Sequence, residues 1–173
     1  MNSPIRALYL LQPWASAVAL GLKQFETRSW KTPYRGRVAI HASKGWTVEC
    51  SGAFYYNDIV NHEFEVYGID DHTDFPRGRI VAIAKLVEIY RTEDVVDKLS
   101  DKELAFGNFG PGRYAWQLAD VRPWNGPEVK GSLGLWTLGE EHHEVAQDVL
   151  ETVTPNIPFP TPGMNPGRAE SAV

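Results

Sequence analysis

The fold is decided by residues 8–44, which read LYLLQPWASAVALGLKQFETRSWKTPYRGRVAIHASK. Leu and Tyr dominate residues 6–11, and this composition predicts a short buried strand. Pro13 breaks the strand and suits the first turn of a helix over residues 14–20. That helix is apolar almost all round, and it ends at Gly21, a typical helix-stop signal.

Two strands are predicted after this helix. Residues 25–30 alternate apolar and polar side chains, as a half-buried strand does, which places Glu26, Arg28 and Trp30 on one face. Turn residues then lead into a second strand over residues 36–43, whose side chains also alternate between two faces.

The remainder of the chain predicts both helices and strands. Strands are expected over residues 78–90, 113–121 and 134–138, and helical segments over residues 46–67, 92–105 and 140–153. Residues 106–112 (FGNFGPG) predict a loop, either a turn or a lid over a cleft, and residues 154–173 predict a Pro/Gly-rich flexible tail. The strands do not alternate regularly with full-length helices. The expected fold class is therefore α+β, a small mixed β-barrel of five to six strands with flanking helices.

The composition limits the classes of protein to which the chain can belong. Its 173 residues suit one domain with a single sizeable core, and 43% of them are hydrophobic. No run approaches the roughly 18 apolar residues of a membrane span. The single cysteine, Cys50, cannot form an internal disulfide and has no second thiolate for a zinc site. The sequence therefore predicts a cytoplasmic protein with no membrane attachment, no metal and no cofactor.

Charge is distributed unevenly along the chain, whose net charge is −5. Residues 1–48 hold seven Lys and Arg residues and one acidic residue, Glu26, whereas residues 49–173 hold ten basic and twenty-one acidic residues. The basic first part predicts a face for an anionic partner. The alternative is that the two parts neutralise each other in the fold.

Four positions fit the spacing Gly-x-Lys-x-x-Glu-x-Arg, namely Gly21, Lys23, Glu26 and Arg28. Together with the flanking sequences QPW, IHA, GRYAW and GSLGLW, this spacing resembles the ASCH domain, a member of the PUA-like barrel superfamily. The resemblance covers residues 5–139. It implies a PUA-like β-barrel with a cleft beside the first helix, lined by the charged side chains of the motif.

The resemblance implies two kinds of function. PUA-like domains are mostly RNA-binding modules, so the first expectation is a partner that is RNA or a modified nucleoside or nucleotide. Some small bacterial members are amidohydrolases that remove the acyl group from acetylated cytidine with a Lys, a Thr and a Glu, the Thr lying three residues after the Lys. Glu26 stands at that position here, with Thr27 beside it, so this chain differs from the hydrolytic members where their nucleophile lies.

The chemistry of the side chains gives each candidate a role. Arg28 offers a rigid fork of donors to a phosphate or a base edge, and Glu26 accepts from an amino group or pairs with a cation. Desolvation beside Arg28 would lower the pKa of Lys23 and suit it to act as a base. Aromatic rings stack on bases, and further cations contact phosphates. The predicted ligand-binding residues are Trp14, Lys23, Glu26, Arg28, Trp30, Arg35, His41, Lys44, Tyr114 and Trp116.

Three interpretations of the motif stay open at this point. The first is a binding cleft floored by Lys23, Glu26 and Arg28. The second is an enzyme that uses the same cleft, either an amidohydrolase or a ribonuclease, with Lys23 and Glu26 as its catalytic residues. The third is an ion-pair network that fixes the junction between helix and strand.

Overall fold

The structure is a computed structural model that describes residues 4–152, and it contains a mixed sheet of six strands. The strands are β1 Arg6–Leu10, β2 Phe25–Arg28, β3 Gly36–Ala42, β4 Arg79–Arg91, β5 Tyr114–Pro123 and β6 Leu135–Thr137. Their order is β2-β5-β4-β3-β1-β6, so β2 and β6 form the two edges. β1 and β3 pair in parallel, and all other neighbours are antiparallel. The predicted α+β class is confirmed, and the sheet is a curled half-barrel.

Helices flank this sheet, and two of the predicted helical segments are divided. The helices are α1 Trp14–Ala19, α2 Val48–Tyr55, α3 Asp58–Glu65, α4 Thr92–Val95, α5 Asp101–Ala105 and α6 His143–Thr152. The helix predicted over residues 46–67 is two helices, because the Asn57 side chain accepts a hydrogen bond from the Val60 amide and starts α3. Similarly, Ser100 accepts from the Glu103 amide and starts α5.

Two clusters of buried apolar side chains position the elements around α1. The larger cluster lies between α1 and the sheet and includes Val18, Ile40 and Trp116. The second cluster joins α1 to α2 and α3 and includes Phe54 and Phe106. Burying one such side chain contributes about 1.5–3 kcal/mol. Because Phe106 belongs to the second cluster, the loop after α5 is held beside α1.

The C-terminal helix α6 packs in a third cluster of buried side chains, separate from the two around α1. Ala146 of α6 lies in a cluster with Ile80 and Leu138. The tail predicted for residues 154–173 lies outside the described residues. No helix within residues 4–152 is long and apolar enough to cross a membrane. In the same part of the chain, no group of three or more His, Cys, Asp or Glu side chains is placed to hold a metal ion.

Candidate ligand-binding site

A cavity of about 490 Å³ lies where α1, β2 and the loop after α5 meet, and we refer to it as the β2 cavity. Its lining residues are Tyr9, Leu10, Leu11, Trp14, Lys23, Glu26, Thr27, Arg28, Ala53, Asn57, Ala105, Phe106, Gly107, Asn108 and Arg113. Its volume lies within the range of about 300–1,000 Å³ that is typical of small-molecule sites. Four of the predicted ligand-binding residues come together here: Trp14, Lys23, Glu26 and Arg28.

The end of α1 turns the chain so that Lys23 reaches the cavity. Gly21 has a φ of +74°, a left-handed conformation that glycine adopts without strain. The amides of Leu22 and Lys23 both donate to the Ala17 carbonyl, at 2.8 and 3.2 Å. This turn closes the helix and places the Lys23 side chain inside the protein, where the residue is only 1% exposed.

Lys23 is a buried amine with a carbonyl and a carboxylate nearby. Its Nζ donates to the Phe106 carbonyl at 2.6 Å and lies 3.8 Å from Glu26 Oε2. Burial disfavours the ammonium form and lowers the pKa of Lys23. The carboxylates of Glu26 and Glu103 oppose this shift, and the nearby charge of Arg28 adds to it. The net direction is the one the sequence predicted, with desolvation as its main cause.

Glu26 and Arg28 lie on the same face of β2 and have unused hydrogen-bonding capacity. Arg28 Nε lies 3.7 Å from Glu26 Oε1, which is an ion-pair distance but too long for a hydrogen bond. The end of the Arg28 guanidinium donates instead to the Tyr9 carbonyl. Within residues 4–152, Glu26 Oε2 and Arg28 Nε are buried without a hydrogen-bond partner. Such groups cost about 1–3 kcal/mol each, so a ligand that pairs with both recovers that free energy.

The glycine-rich loop forms one wall of the β2 cavity. Phe106, Gly107 and Asn108 line it, and the Asn108 amide donates to the Thr27 hydroxyl at 3.0 Å. Arg113 follows this loop and donates to the carbonyls of Asn108 and Thr27, at 3.1 and 3.2 Å. Hydrogen bonds to Thr27 therefore tie the loop and Arg113 to β2.

The β2 cavity has an excess of positive charge. Lys23, Arg28 and Arg113 line it, and Glu26 is the one carboxylate among the lining residues. The guanidinium groups of both arginines donate to main-chain carbonyls, which do not neutralise them. The cavity therefore favours a ligand that carries negative charge or several acceptor atoms.

A carboxylate on α5 holds the start of β2 in place. Both oxygens of Glu103 accept from the Gln24 amide at 3.0 Å, and Oε1 also accepts from the Phe25 amide at 2.8 Å. The Phe25 ring packs with Val95 and Ala115. This arrangement fixes the strand on which Glu26 and Arg28 lie.

Two of the predicted stacking residues, Trp116 and Trp30, do not line the β2 cavity. Trp116 is fully buried in the core, so the prediction that its ring stacks on a base is wrong. Its ring packs edge-on against Trp30, with centroids 4.7 Å apart, and its indole N–H donates to the Trp30 carbonyl at 3.2 Å. β2 ends at Arg28, and the Trp30 ring beyond it has the Arg28 guanidinium carbon 5.8 Å from its centroid but is not part of the cavity lining. Trp30 packs against the core cluster instead.

Tyr114 and Arg35 also lie outside the cavity lining. Cations of Lys31 and Arg91 lie over the Tyr114 ring, 5.9 and 5.3 Å from its centroid. Arg35 pairs with Glu88 at 2.6 Å. The cations of the basic first part are therefore not all at one site, since Lys23 and Arg28 line the cavity whereas Arg35 pairs with Glu88 of the acidic part.

His41 and Lys44 line a different cavity of about 500 Å³, which we refer to as the Lys44 cavity. Tyr9 lines both cavities. His41 Nε2 lies 3.0 Å from the Val129 carbonyl, and because a carbonyl only accepts, Nε2 carries the hydrogen. Burial lowers the pKa of His41 even though this hydrogen bond opposes the shift. The lowered pKa favours the neutral imidazole, and His41 lines a different cavity from Arg28.

Several lining residues were missed by reasoning from the sequence. Tyr9, Asn57, Asn108 and Arg113 come from β1, from the link between α2 and α3, and from the segment before β5. The glycine-rich loop and the following GRYAW were the only signals that pointed to any of them. For Tyr9 and Asn57, which lie in ordinary strand and helix-linking sequence, no local pattern pointed to a role.

Short segments of the chain are similar to Activating signal cointegrator 1 of mouse and human. The mouse protein is 53% identical over 36 residues, which is 21% of this chain and 6% of that protein. The human protein is 56% identical over 32 residues, which is 18% of this chain and 6% of that protein. These matches therefore span only a small part of the two relatives.

The fold is similar to that of solved structures from Zymomonas mobilis. The crystal structure of ASCH from that organism superposes with a TM-score of 0.51 at 15% identity, covering 88% of this chain and 98% of that chain. A mutant of the same protein gives a TM-score of 0.50 at 15% identity, covering 88% of this chain and 100% of that chain. The sequence itself matches the ASCH domain over residues 8–132, which include the whole of α1 and β2. The resemblance seen in the motif is thereby confirmed, and the chain belongs to the ASCH domain family.

Proposed function

We propose that this domain binds single-stranded RNA and holds one base in the β2 cavity. The observation that carries the proposal concerns two of the three buried side-chain atoms without hydrogen-bond partners in residues 4–152, the acceptor Glu26 Oε2 and the donor Arg28 Nε; the third is His41 Nδ1. Glu26 and Arg28 lie two residues apart on one strand face and so present an acceptor and a donor side by side.

A nucleobase offers the matching pattern along one edge. An exocyclic amino group donates to a carboxylate, and a neighbouring ring nitrogen or carbonyl oxygen accepts from a guanidinium. Cytosine and guanine each carry both kinds of group along one edge. A base that enters the cavity therefore satisfies Glu26 and Arg28 together.

The rest of the lining suits the other parts of a nucleotide. Trp14, Leu11 and Phe106 give the cavity an apolar side. Stacking of a base on an aromatic ring contributes about 1–3 kcal/mol. The positive charge of the partly buried Arg113 suits the phosphate backbone. Membership of the ASCH family supports RNA as the partner, since PUA-like domains are mostly RNA-binding modules.

Glu26→Gln and Arg28→Gln are each expected to weaken binding of a short single-stranded RNA by roughly 5- to 150-fold, since a good contact to a base edge contributes about 1–3 kcal/mol. Fluorescence anisotropy with a labelled RNA of random sequence, at fixed ionic strength, measures the change. Arg35→Gln is the matched control, because it removes the same charge from a residue outside the cavity. If Arg28→Gln and Arg35→Gln weakened binding equally, binding would depend on overall charge, and the proposal would fail.

One observation favours a second candidate function, the hydrolysis of an acylated nucleoside. The Lys23 amine, whose pKa burial lowers, and the Thr27 hydroxyl line the same cavity. Thr27 Oγ1 accepts from the Asn108 amide, and that contact does not use its own hydrogen. An amine with a lowered pKa can take a proton from a hydroxyl and so activate it as a nucleophile.

With N4-acetylcytidine as the probe, we expect binding without release of acetate, because Glu26 stands where the hydrolytic members carry Thr. A hydrolase that used Lys23 as its base would become faster as the pH rises through the lowered pKa of Lys23, because the unprotonated amine is the active form. Acetate release by the wild type, compared with Lys23→Met across a pH series, separates the two functions. Release that shows this pH dependence and is absent from Lys23→Met would establish hydrolysis.

A further inference from the structure

The Lys44 cavity contains cations without carboxylate partners. Its lining residues are Tyr9, His41, Ser43, Lys44, Gly45, Gly78, Glu128, Val129, Lys130 and Gly131. Within residues 4–152, neither Lys44 nor Lys130 forms an ion pair or a side-chain hydrogen bond. The lining therefore contains two ammonium groups and a single carboxylate, that of Glu128.

The Lys44 side chain is directed by the backbone beneath it. Its stem lies across Gly78 so closely that a β-carbon at position 78 would come within 2.5 Å of Lys44 Cε. Gly78 has a φ of +70°, which glycine adopts readily. Because residue 78 has no side chain, the Lys44 side chain has room to extend along the cavity.

The hydroxyls of Tyr9 and Ser43 add a further donor. Their oxygens lie 2.6 Å apart and share one hydrogen bond, and Ser43 Oγ also accepts from the Gly45 amide at 3.0 Å. Two hydroxyls carry two hydrogens, and one shared bond uses only one of them. The second hydrogen and the two ammonium groups leave the cavity rich in donors, which suits an anion with several acceptor oxygens.

Tyr9 connects this anion site to the β2 cavity. Its main-chain carbonyl accepts from Arg28, which lines the β2 cavity, and its side chain lines the Lys44 cavity beside Ser43. The two cavities therefore share Tyr9 as a lining residue.

We propose that the Lys44 cavity holds a phosphate of the same RNA strand, next to the nucleotide whose base occupies the β2 cavity. This inference rests on the proposed function, since it takes the base in the β2 cavity as its starting point. Lys44 and Lys130 neutralise the phosphate, and the Tyr9–Ser43 pair donates to one of its oxygens. The site thereby sets the direction in which the strand leaves the β2 cavity.

Calorimetric titration with the four nucleosides and the four matching homodinucleotides tests this, because only the dinucleotides carry a phosphate. The double variant Lys44→Gln/Lys130→Gln is expected to bind dinucleotides roughly 3- to 20-fold more weakly. For this variant, the slope of log K for dinucleotide binding against log salt concentration should be smaller in magnitude by about 0.7. That is the value for one lost phosphate contact on a single strand. Nucleoside affinity should stay unchanged. Lys85→Gln/Lys98→Gln removes the same charge from exposed lysines outside both cavities and should leave dinucleotide binding unchanged.

Three results would overturn the inference. They are an equal loss in the control variant, an equal loss for nucleosides and dinucleotides, and Lys44-dependent binding of inorganic phosphate as tight as that of the dinucleotides. The last result would assign the cavity to free phosphate. Glu26→Gln tests the proposed function separately. If this variant bound nucleosides as tightly as the wild type, the base would not occupy the β2 cavity. Circular dichroism of each variant establishes that it is folded.

Discussion

Trp116→Ala is expected to lower the free energy of unfolding by about 3–5 kcal/mol, the usual cost of removing a large aromatic side chain from a core. The ring is fully buried among residues of α1, β1, β3 and β4. The substitution also removes the hydrogen bond to the Trp30 carbonyl. Domains have a total stability of about 5–15 kcal/mol, so this is a large share of it. Urea denaturation followed by far-UV circular dichroism measures the loss without depending on tryptophan fluorescence.

Two control variants separate a packing role for Trp116 from a role in binding. Tyr56→Ala removes a ring that is 84% exposed and should change stability by less than about 0.5 kcal/mol. Trp14→Ala removes a ring that lines the β2 cavity, and it should weaken RNA binding more than Trp116→Ala does per folded molecule. If Trp116→Ala kept its stability but lost RNA affinity, the result would show that Trp116 stacks on the RNA and does not act mainly in packing.

Glu103→Ala is expected to cost about 3–6 kcal/mol of stability, because two amides lose a charged acceptor and each such hydrogen bond contributes about 1.5–3 kcal/mol. The substitution leaves the amides of Gln24 and Phe25 without their acceptor. It also removes one of the two carboxylates that favour the ammonium form of Lys23. RNA affinity should fall as well, because β2 begins at Phe25 and carries Glu26 and Arg28. Urea denaturation and fluorescence anisotropy on the same preparations measure both effects.

Matched variants test whether the position of the Glu103 carboxylate matters. Glu103→Gln keeps one acceptor oxygen and should lose less stability than Glu103→Ala. Asp101→Ala removes an exposed acid from the same helix and should cost less than about 1 kcal/mol. A loss for Glu103→Ala as small as that for Asp101→Ala would show that α5 does not hold β2 in place.

The charged side chains of the motif could be placed from the sequence because local patterns determine their positions. The helix stop at Gly21 and the alternation through Arg28 depend only on neighbouring residues. The sheet as a whole was also predictable at the level of α+β with five to six strands, since each strand has its own apolar pattern. The division of residues 46–67 into two helices depends on a single cap, Asn57, and is a weaker signal.

Contacts between distant segments were beyond prediction from the sequence. Alternation shows which side chains share a strand face, but not whether that face meets the core or a cavity. For this reason Trp116 was placed at the site, although it lies in the core. Tyr9 and Asn108 reach the β2 cavity only through the pairing of strands and the packing of the loop. The same limitation placed His41 and Lys44 in one cleft with Arg28, whereas they line a second cavity.

The parallel pairing of β1 with β3 affects which side chains of this fold can change without disturbing the sheet. A parallel pair needs a crossover connection of about a dozen residues or more, and residues 11–35 supply it with α1 and β2 inside. The backbone pairing of β1 with β3 does not depend on which side chains stand at positions 26 and 27. In evolutionary terms, the crossover is free to exchange a carboxylate for a hydroxyl there. The side chains at positions 26 and 27 can therefore change without altering the pairing of the strands that form the sheet.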